Sequence, residues 1–380
     1  MNKISIPKPD YDSPLVKLIF ELEHQRDRNV EGSTPPWLFF DLKEILQRLE
    51  SLTSARIEGN RTTLLSVVEN IIEGNEVTDN EELLELKNIE EAIHFIEDNV
   101  AESAINRSFI CELHKMTTKD LKREGSKTPG QYRKENVKIE KSNHAPPDYT
   151  QVDNLMGELI DFINEDSEPH QHLLKIAIVH HRMAAIHPFD NGNGRTVRLI
   201  TYAMLSKYGF IDDKGFRLLN PSAIFCIDRQ EYYDMLERAD TGTAEGLLDW
   251  CFFVLKGMSE EVKKIDKLLD RVFSEKNIIL PALELSLEKK QISDNEYEVL
   301  RTGMKKYIFQ AKDVQHIFPI GPSRAVQVSR LLARMKSQKL IMHHPNYKLK
   351  YVIKFSNNYL LRGVIQQMAE HKLLPVALDS

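Results

Sequence analysis

The chain has 380 residues, 41% hydrophobic and 28% charged, which excludes wholesale disorder, a collagen-like repeat and a coiled-coil rod and leaves room for two or three domains. The formal net charge of −6 is unevenly spread: between positions 301 and 350 eleven Lys/Arg meet a single acid, Asp313, so that stretch carries +10 and the remainder −16, which excludes one uniform partner surface. Cys111, Cys226 and Cys251 are scattered and form no CxxC pair, so neither a disulfide framework nor a structural zinc site is indicated.

Taken in chain order, an extended arm is followed by a helix around 14–28. Leu42, Ile45, Leu46, Leu49 and Leu52 recur at helical spacing and predict a helix from Trp37 to Leu52. Ser54 to Gly59 reads as a second, short helix closed by Gly59-Asn60. Amphipathic helices are expected over 62–73, 80–99 and 105–123. The segment 128–150, TPGQYRKENVKIEKSNHAPPDYT, alternates at Val137 and Ile139 between Pro129-Gly130 and Pro146-Pro147, and predicts a short β-hairpin. Helices resume over 150–164, 170–186, 194–208, 229–239 and 244–275. A linker near 276–295 leads to the basic region.

Within 295–360 the order reads helix, short helix, helix, then strand–turn–strand. This is the organisation of a winged helix-turn-helix, with Arg324, Arg330 and Arg334 flanking a groove-facing surface and Lys348 and Lys350 on the wing. The charge predicts duplex DNA as a partner, the alternative being a protein-contact module. The opening MNKISIPKPDYDSP has no apolar stretch of a signal peptide, and runs such as 250–255 are too short to span a bilayer. A cytoplasmic protein without a membrane partner is expected.

The most informative stretch is HPFDNGNGRTVR, His187 to Arg198, between two predicted helices. Pro188 ends the first. The Gly192-Asn193-Gly194 turn permits φ > 0 and opens the second, presenting free N–H groups and the positive end of the helix dipole, which makes an anion site. Arg195 and Arg198, three apart, suit a polyphosphate. His187 stands before the turn, placed to take a proton from an attacking hydroxyl. Each feature alone has an ordinary structural reading; twelve consecutive residues holding all of them do not.

HPFDNGNGRTVR resembles the signature of the Fic family of nucleotidyl transferases, His-Pro-Phe-x-Asp/Glu-Gly-Asn-Gly-Arg-x-x-Arg, and the resemblance extends over roughly residues 40–260. The fold it implies is mainly α: a helical bundle with a β-hairpin flap, here with the winged helix appended. The division expected is an N-terminal helical region over 1–100 with an inhibitory helix near 45–60, a catalytic core over 101–275 and the winged helix over 290–380. The resemblance implies that His187 deprotonates a Ser, Thr or Tyr hydroxyl of an unidentified target protein. That hydroxyl attacks the α-phosphate of ATP, leaving AMP on the target. Asn191, Gly192, Asn193, Gly194, Arg195 and Arg198 would hold the nucleotide, with Val137, Lys138, Ile139 and Glu140 of the flap and Tyr232 and Tyr233 beside it. The family's metal-holding acid is replaced by Asn191. Mg²⁺ would then be bound weakly there, with Asp190 as the alternative ligand.

Ser54-Ala55-Arg56-Ile57-Glu58-Gly59 is similar to the family's inhibitory pattern, Ser/Thr-x-x-x-Glu-Gly/Asn, and implies that Ser54 and Glu58 act as a brake by occupying Arg198. Two other readings stay open. One is a nucleotide-sensing, DNA-binding regulator with a weak or inactive core. The other, disfavoured because adjacent histidines face apart, is a metal hydrolase using His180, His181 and His187.

Overall fold

The computed structural model describes residues 3–27, 33–73, 80–139, 143–211, 221–226, 228–344, 346–356 and 358–374. The chain is mainly helical, as its periodicities predict. In order come α1 (Pro14–Asp27), α2 (Pro36–Ile57), α3 (Leu64–Glu73), α4 (Glu81–Asn99), α5 (Arg107–Thr118), α6 (Tyr149–Asn164), α7 (His172–Ile186), α8 (Asn193–Lys207), the single turn α9 (Ala223–Cys226), α10 (Arg229–Asp240) and α11 (Ala244–Leu269). After the turn α12 (Arg271–Phe273) follow α13 (Leu280–Glu288), α14 (Asp294–Lys306), α15 (Arg324–Ser337), the strands β1 (Ile341–His344) and β2 (Tyr347–Ile353), and α16 (Leu360–Glu370). No described helix is long and apolar enough to cross a membrane.

Cα packing groups the chain into two units. One comprises residues 1–30, 48–62 and 77–265; the other comprises 31–47, 63–76 and 266–380. In the first unit α7 and α8 are buried on nearly every side, and Trp250 of α11 donates its Nε1–H to the Ala177 carbonyl at 2.7 Å. In the second, α13 packs on α16 so closely that a Cβ at Gly363 would come within 2.8 Å of the Ala282 carbonyl oxygen. β1 and β2 pair antiparallel, Ile341 opposite Ile353, and Phe309 adds an isolated bridge to Tyr351.

Four local expectations are corrected. The two helices expected over 37–59 are one, α2. Leu46, Leu49, Leu52, Ala55 and Ile57 bury one continuous stripe, and the helix stops only where Gly59 takes a φ of 99°. The described residues of 128–150 form no strand. Pro146 and Pro147 have no N–H to give a ladder, and Arg133 satisfies carbonyls of the segment instead, as shown below. The expected linker is helical: a π-turn, Ser274–Ile279, runs into α13, with Ile278, Ile279, Ala282 and Leu283 buried. Pro281 lacks the donor of a regular turn, and the Leu280 N–H reaches back five residues to the Glu275 carbonyl. Finally, α16 was not anticipated; Leu361, Val364, Ile365 and Met368 give it a buried face.

Candidate active site

α7 ends at Ile186. His187 then adopts a left-handed backbone, φ 52°, with its N–H closing on the Met183 carbonyl. A non-glycine residue held there costs about 1 kcal/mol or more, which the buried surroundings must offset. His187 Nδ1 lies 3.4 Å from the Ala184 carbonyl oxygen. A carbonyl only accepts, so Nδ1 carries the proton and Nε2 is left with the lone pair. Burial pushes the imidazole down to about 4, so it is neutral at physiological pH.

The loop that follows is built by its own side chains. Asn193 and Phe189 exchange side-chain and backbone hydrogen bonds at 2.9 Å in both directions. Phe189 is buried and stacks on His114 at a ring separation of 3.7 Å. His114 accepts from the Gly130 N–H through Nδ1 and donates through Nε2 to the Asn191 carbonyl. Burial drives it to about 4 as well, so it serves as a neutral strut. Gly192, φ 72°, caps α8, and a Cβ there would press on Thr118 Cγ2 at 2.7 Å. Sequence periodicity marked His114 only as one residue of a helix.

The one acid of the loop and the amide beside it are both engaged. Asp190 accepts from Ser126 Oγ, the Lys127 N–H and the Asn191 N–H. Asn191 donates to the Gly125 carbonyl at 3.1 Å, and its own oxygen accepts the Gly192 N–H at 2.7 Å. A neutral amide already engaged, beside a carboxylate that already accepts three donors, is a poor fit to a resident hard cation, which needs several free oxygens.

Beside the first turn of α8 stands the Glu58 carboxylate. A Cβ on Gly194 would collide with Glu58 Oε1 and stand 3.1 Å from Arg198 Nη1. Glu58 Oε1 accepts from Arg198 Nη2 at 2.8 Å, and the same guanidinium donates to the Ser54 hydroxyl and carbonyl, each at 2.9 Å. Arg198 is buried, and its Nη1 has no hydrogen-bond partner among the described residues. Burial would raise the Glu58 carboxyl, but Arg198 and Arg195 outweigh it and hold it below the usual range. Arg195 is turned away: Nη1 meets Glu85 at 2.8 Å and Nη2 donates to the Glu124 carbonyl at 2.6 Å. Glu85, missed from sequence, also accepts from Asn60, two residues beyond Glu58.

Of the remaining expected residues, Val137 and Ile139 are half-buried and Lys138 is exposed; Glu140 lies outside the described residues. Tyr232 is buried, its hydroxyl 3.0 Å from His180 Nε2, while Tyr233 is partly exposed beside Arg229. His180 and His181 take separate partners, Thr201 and Tyr232 for the first and Asp240 for the second. Arg133 ties its segment to the end of α7 through the His187, Ile186, Pro147 and Glu135 carbonyls.

Residues 104–205 match the profile of the Fic/DOC family. Half of the chain is 29% identical, over 195 residues, to a protein of Nematostella vectensis named protein adenylyltransferase Fic, of which the match spans 42%. A Drosophila willistoni protein of the same name is also 29% identical, over 198 residues and 36% of its length. The chain thus spans less than half the length of these relatives. In fold it is similar to a Fic family protein from Desulfovibrio desulfuricans, with a TM-score of 0.55, 19% identity and coverage of 92% of this chain and 98% of that one. The stretch that holds α5, His187 and the glycine turn of α8 is thus the part of the chain that matches the Fic/DOC family.

Proposed function

We propose that the chain is an autoinhibited protein adenylyltransferase, moving AMP from Mg²⁺·ATP to a Ser, Thr or Tyr hydroxyl of a target protein. The observation that carries this is the neutral base at the mouth of an anion site whose place is taken by a carboxylate. His187 Nε2 takes the proton of the target hydroxyl as its oxygen attacks the α-phosphorus. The bond from that phosphorus to the bridging oxygen breaks, and pyrophosphate leaves. The N–H groups of Asn193, Gly194 and Arg195 at the α8 N-terminus stabilise the charge that builds on the phosphates. Val137, Lys138 and Ile139 flank the nucleotide from the flap, with Tyr233 at its far edge.

Arg198 is the γ-phosphate anchor; its Nη1, without a hydrogen-bond partner among the described residues and close to Gly194, supports that role. Glu58 substitutes for that phosphate in the resting state. Mg²⁺ enters with the triphosphate as part of the substrate, since Asp190 and Asn191 are both committed to the loop. The test uses ATP labelled at either the α- or the γ-phosphate, with the full chain, Glu58→Gly, and Glu58→Gly/His187→Ala. Label reaching protein from the α position alone, and lost with His187, supports the reading. Transfer from the γ position would make it a kinase-type reaction, and no transfer in any form would leave the nucleotide-sensing regulator.

We also propose duplex DNA as the partner of residues 294–353, read as a winged helix with α15 as its groove-facing helix. Arg334 is paired with Glu296 and Lys306 with Asp313, and Arg324 donates to the Gln315 carbonyl. Exposed Arg330, Lys336 and Lys348 have no carboxylate partner among the described residues, and Arg330 stands on the side of α15 opposite buried Val328, Leu331, Leu332 and Met335. Cations left without a carboxylate partner on an exposed surface suit phosphate backbones better than the core of a protein contact. Binding of the full chain to a labelled duplex should weaken steeply with salt and more than tenfold in Arg330→Glu/Lys348→Glu. Unchanged binding in that variant refutes the assignment.

A further inference from the structure

The last carbonyls of a helix have no partner within it and carry the negative end of its dipole. At the end of α7 those groups are Ala185, Ile186 and His187, next to the proposed base. Two side chains from the segment between α5 and α6 reach them. Arg133 serves Ile186 and His187, as described. His144 serves Ala185, its Nε2 2.8 Å from that carbonyl oxygen.

The other His144 nitrogen, Nδ1, is 2.9 Å from Asp240 Oδ2 at the end of α10. A carbonyl and a carboxylate can only accept. A neutral imidazole has one N–H, so it satisfies one of these contacts and sets lone pair against lone pair at the other. Both contacts are made only by the imidazolium. We propose that His144 is a positioning residue: a protonated cap on the C-terminus of α7 that docks one leg of the flap beside His187 and lets go when it loses its proton.

The surroundings agree. Asp240 is the anion facing His144, and its second oxygen is 2.8 Å from His181 Nε2 of α7. Glu237 of α10 accepts from Asn143, the neighbour of His144. His187 is the other titratable group nearby, and it is neutral. The hydrogen bond from His144 to Asp240 raises the imidazole above its ordinary range despite partial burial. Asp240 is itself driven to about 2, its bonds to the two histidines overcoming burial. A raised histidine contributes its contact below the unfolded value near 6.5 and loses it as pH rises through the folded one. Arg133 cannot lose its proton in this range. The two legs therefore differ: the Arg133 leg stays docked at alkaline pH and the His144 leg is released.

The test is ¹⁵N NMR of the full chain labelled at histidine. His144 should show two protonated nitrogens below its midpoint, with a midpoint above that of exposed histidines, lowered in Asp240→Asn. Amide protection, corrected for intrinsic exchange, should fall about tenfold at Asn143, His144, Ala145 and Asp148 as pH crosses that midpoint while 131–135 holds, one hydrogen bond's worth. In His144→Gln, which folds without a titrating group there, that protection should not depend on pH. A single protonated nitrogen on His144 below neutrality, a midpoint at or under that of exposed histidines, or equal loss in both legs would overturn the proposal. None of these readouts requires nucleotide transfer, so the result stands apart from the proposed reaction.

Discussion

Glu58→Gly isolates the proposed brake. One Glu58 carboxylate oxygen sits 2.8 Å from Arg198 Nη2 and against Gly194, where a Cβ would collide with it. Hydrogen bonds to charged groups contribute about 1.5–3 kcal/mol. The Glu58 side chain keeps 28% of its surface exposed while that of Arg198 keeps 2%, so water screens one end of the pair and the lower part of the range applies. About 1.4 kcal/mol is a tenfold change, so self-labelling from α-labelled ATP should rise about tenfold or more. The carboxyl is held below its usual range, so the brake is present above that range and is lost only as pH falls through its folded value. Neutral buffers should therefore not release it. The assay compares initial labelling rates of wild type, Glu58→Gly and Arg198→Ala at saturating ATP. Arg198→Ala must stay low, because it removes the phosphate anchor together with the brake's partner. Equal rates for wild type and Glu58→Gly, or a gain in Arg198→Ala matching that in Glu58→Gly, would refute competition for one guanidinium.

Asn60→Ala should release the brake partly, raising labelling a few-fold, because Asn60 ties the turn after Glu58 to Glu85 at 2.8 Å; unchanged labelling would confine Asn60 to a structural part. Glu50, buried one turn before Ser54 with the Ser222 N–H on both oxygens at 3.1 Å, is pushed up to about 7 by burial. Its folded form holds a proton that the unfolded chain has released, so stability falls as pH rises from about 4.5 to 7. Glu50→Gln should therefore be more stable than wild type by about 1–3 kcal/mol at pH near 8 and not at pH near 5, read from urea unfolding; a gain independent of pH would contradict the burial argument. Because His187 titrates at about 4, labelling by Glu58→Gly should show no base-protonation limb between about pH 5 and 8. A midpoint near about 6.5 would mean an imidazole in water.

Much of this protein is determined by local rules. Apolar spacing places α4, α6, α7, α8 and α10 within a few residues of where they lie, because a helix must turn one stripe inward whatever it packs against. HPFDNGNGRTVR specifies a helix stop, a left-handed glycine and a helix start, all of which are short-range chemistry. Tertiary structure decided the rest. Whether 37–59 is one helix or two depended on neighbours that bury Leu52 and Ala55 alike. Whether 128–150 forms a ladder depended on Arg133, whose carbonyl partners lie as far off as His187. Arg195 and Arg198, three residues apart and alike in sequence, part company because Glu85 of α4 holds one and Glu58, in the turn after α2, the other, 110 and 140 positions away. Spacing along a chain carries no record of such meetings, since charge pairs and carbonyl caps form between surfaces that only the packed fold brings within 3 Å.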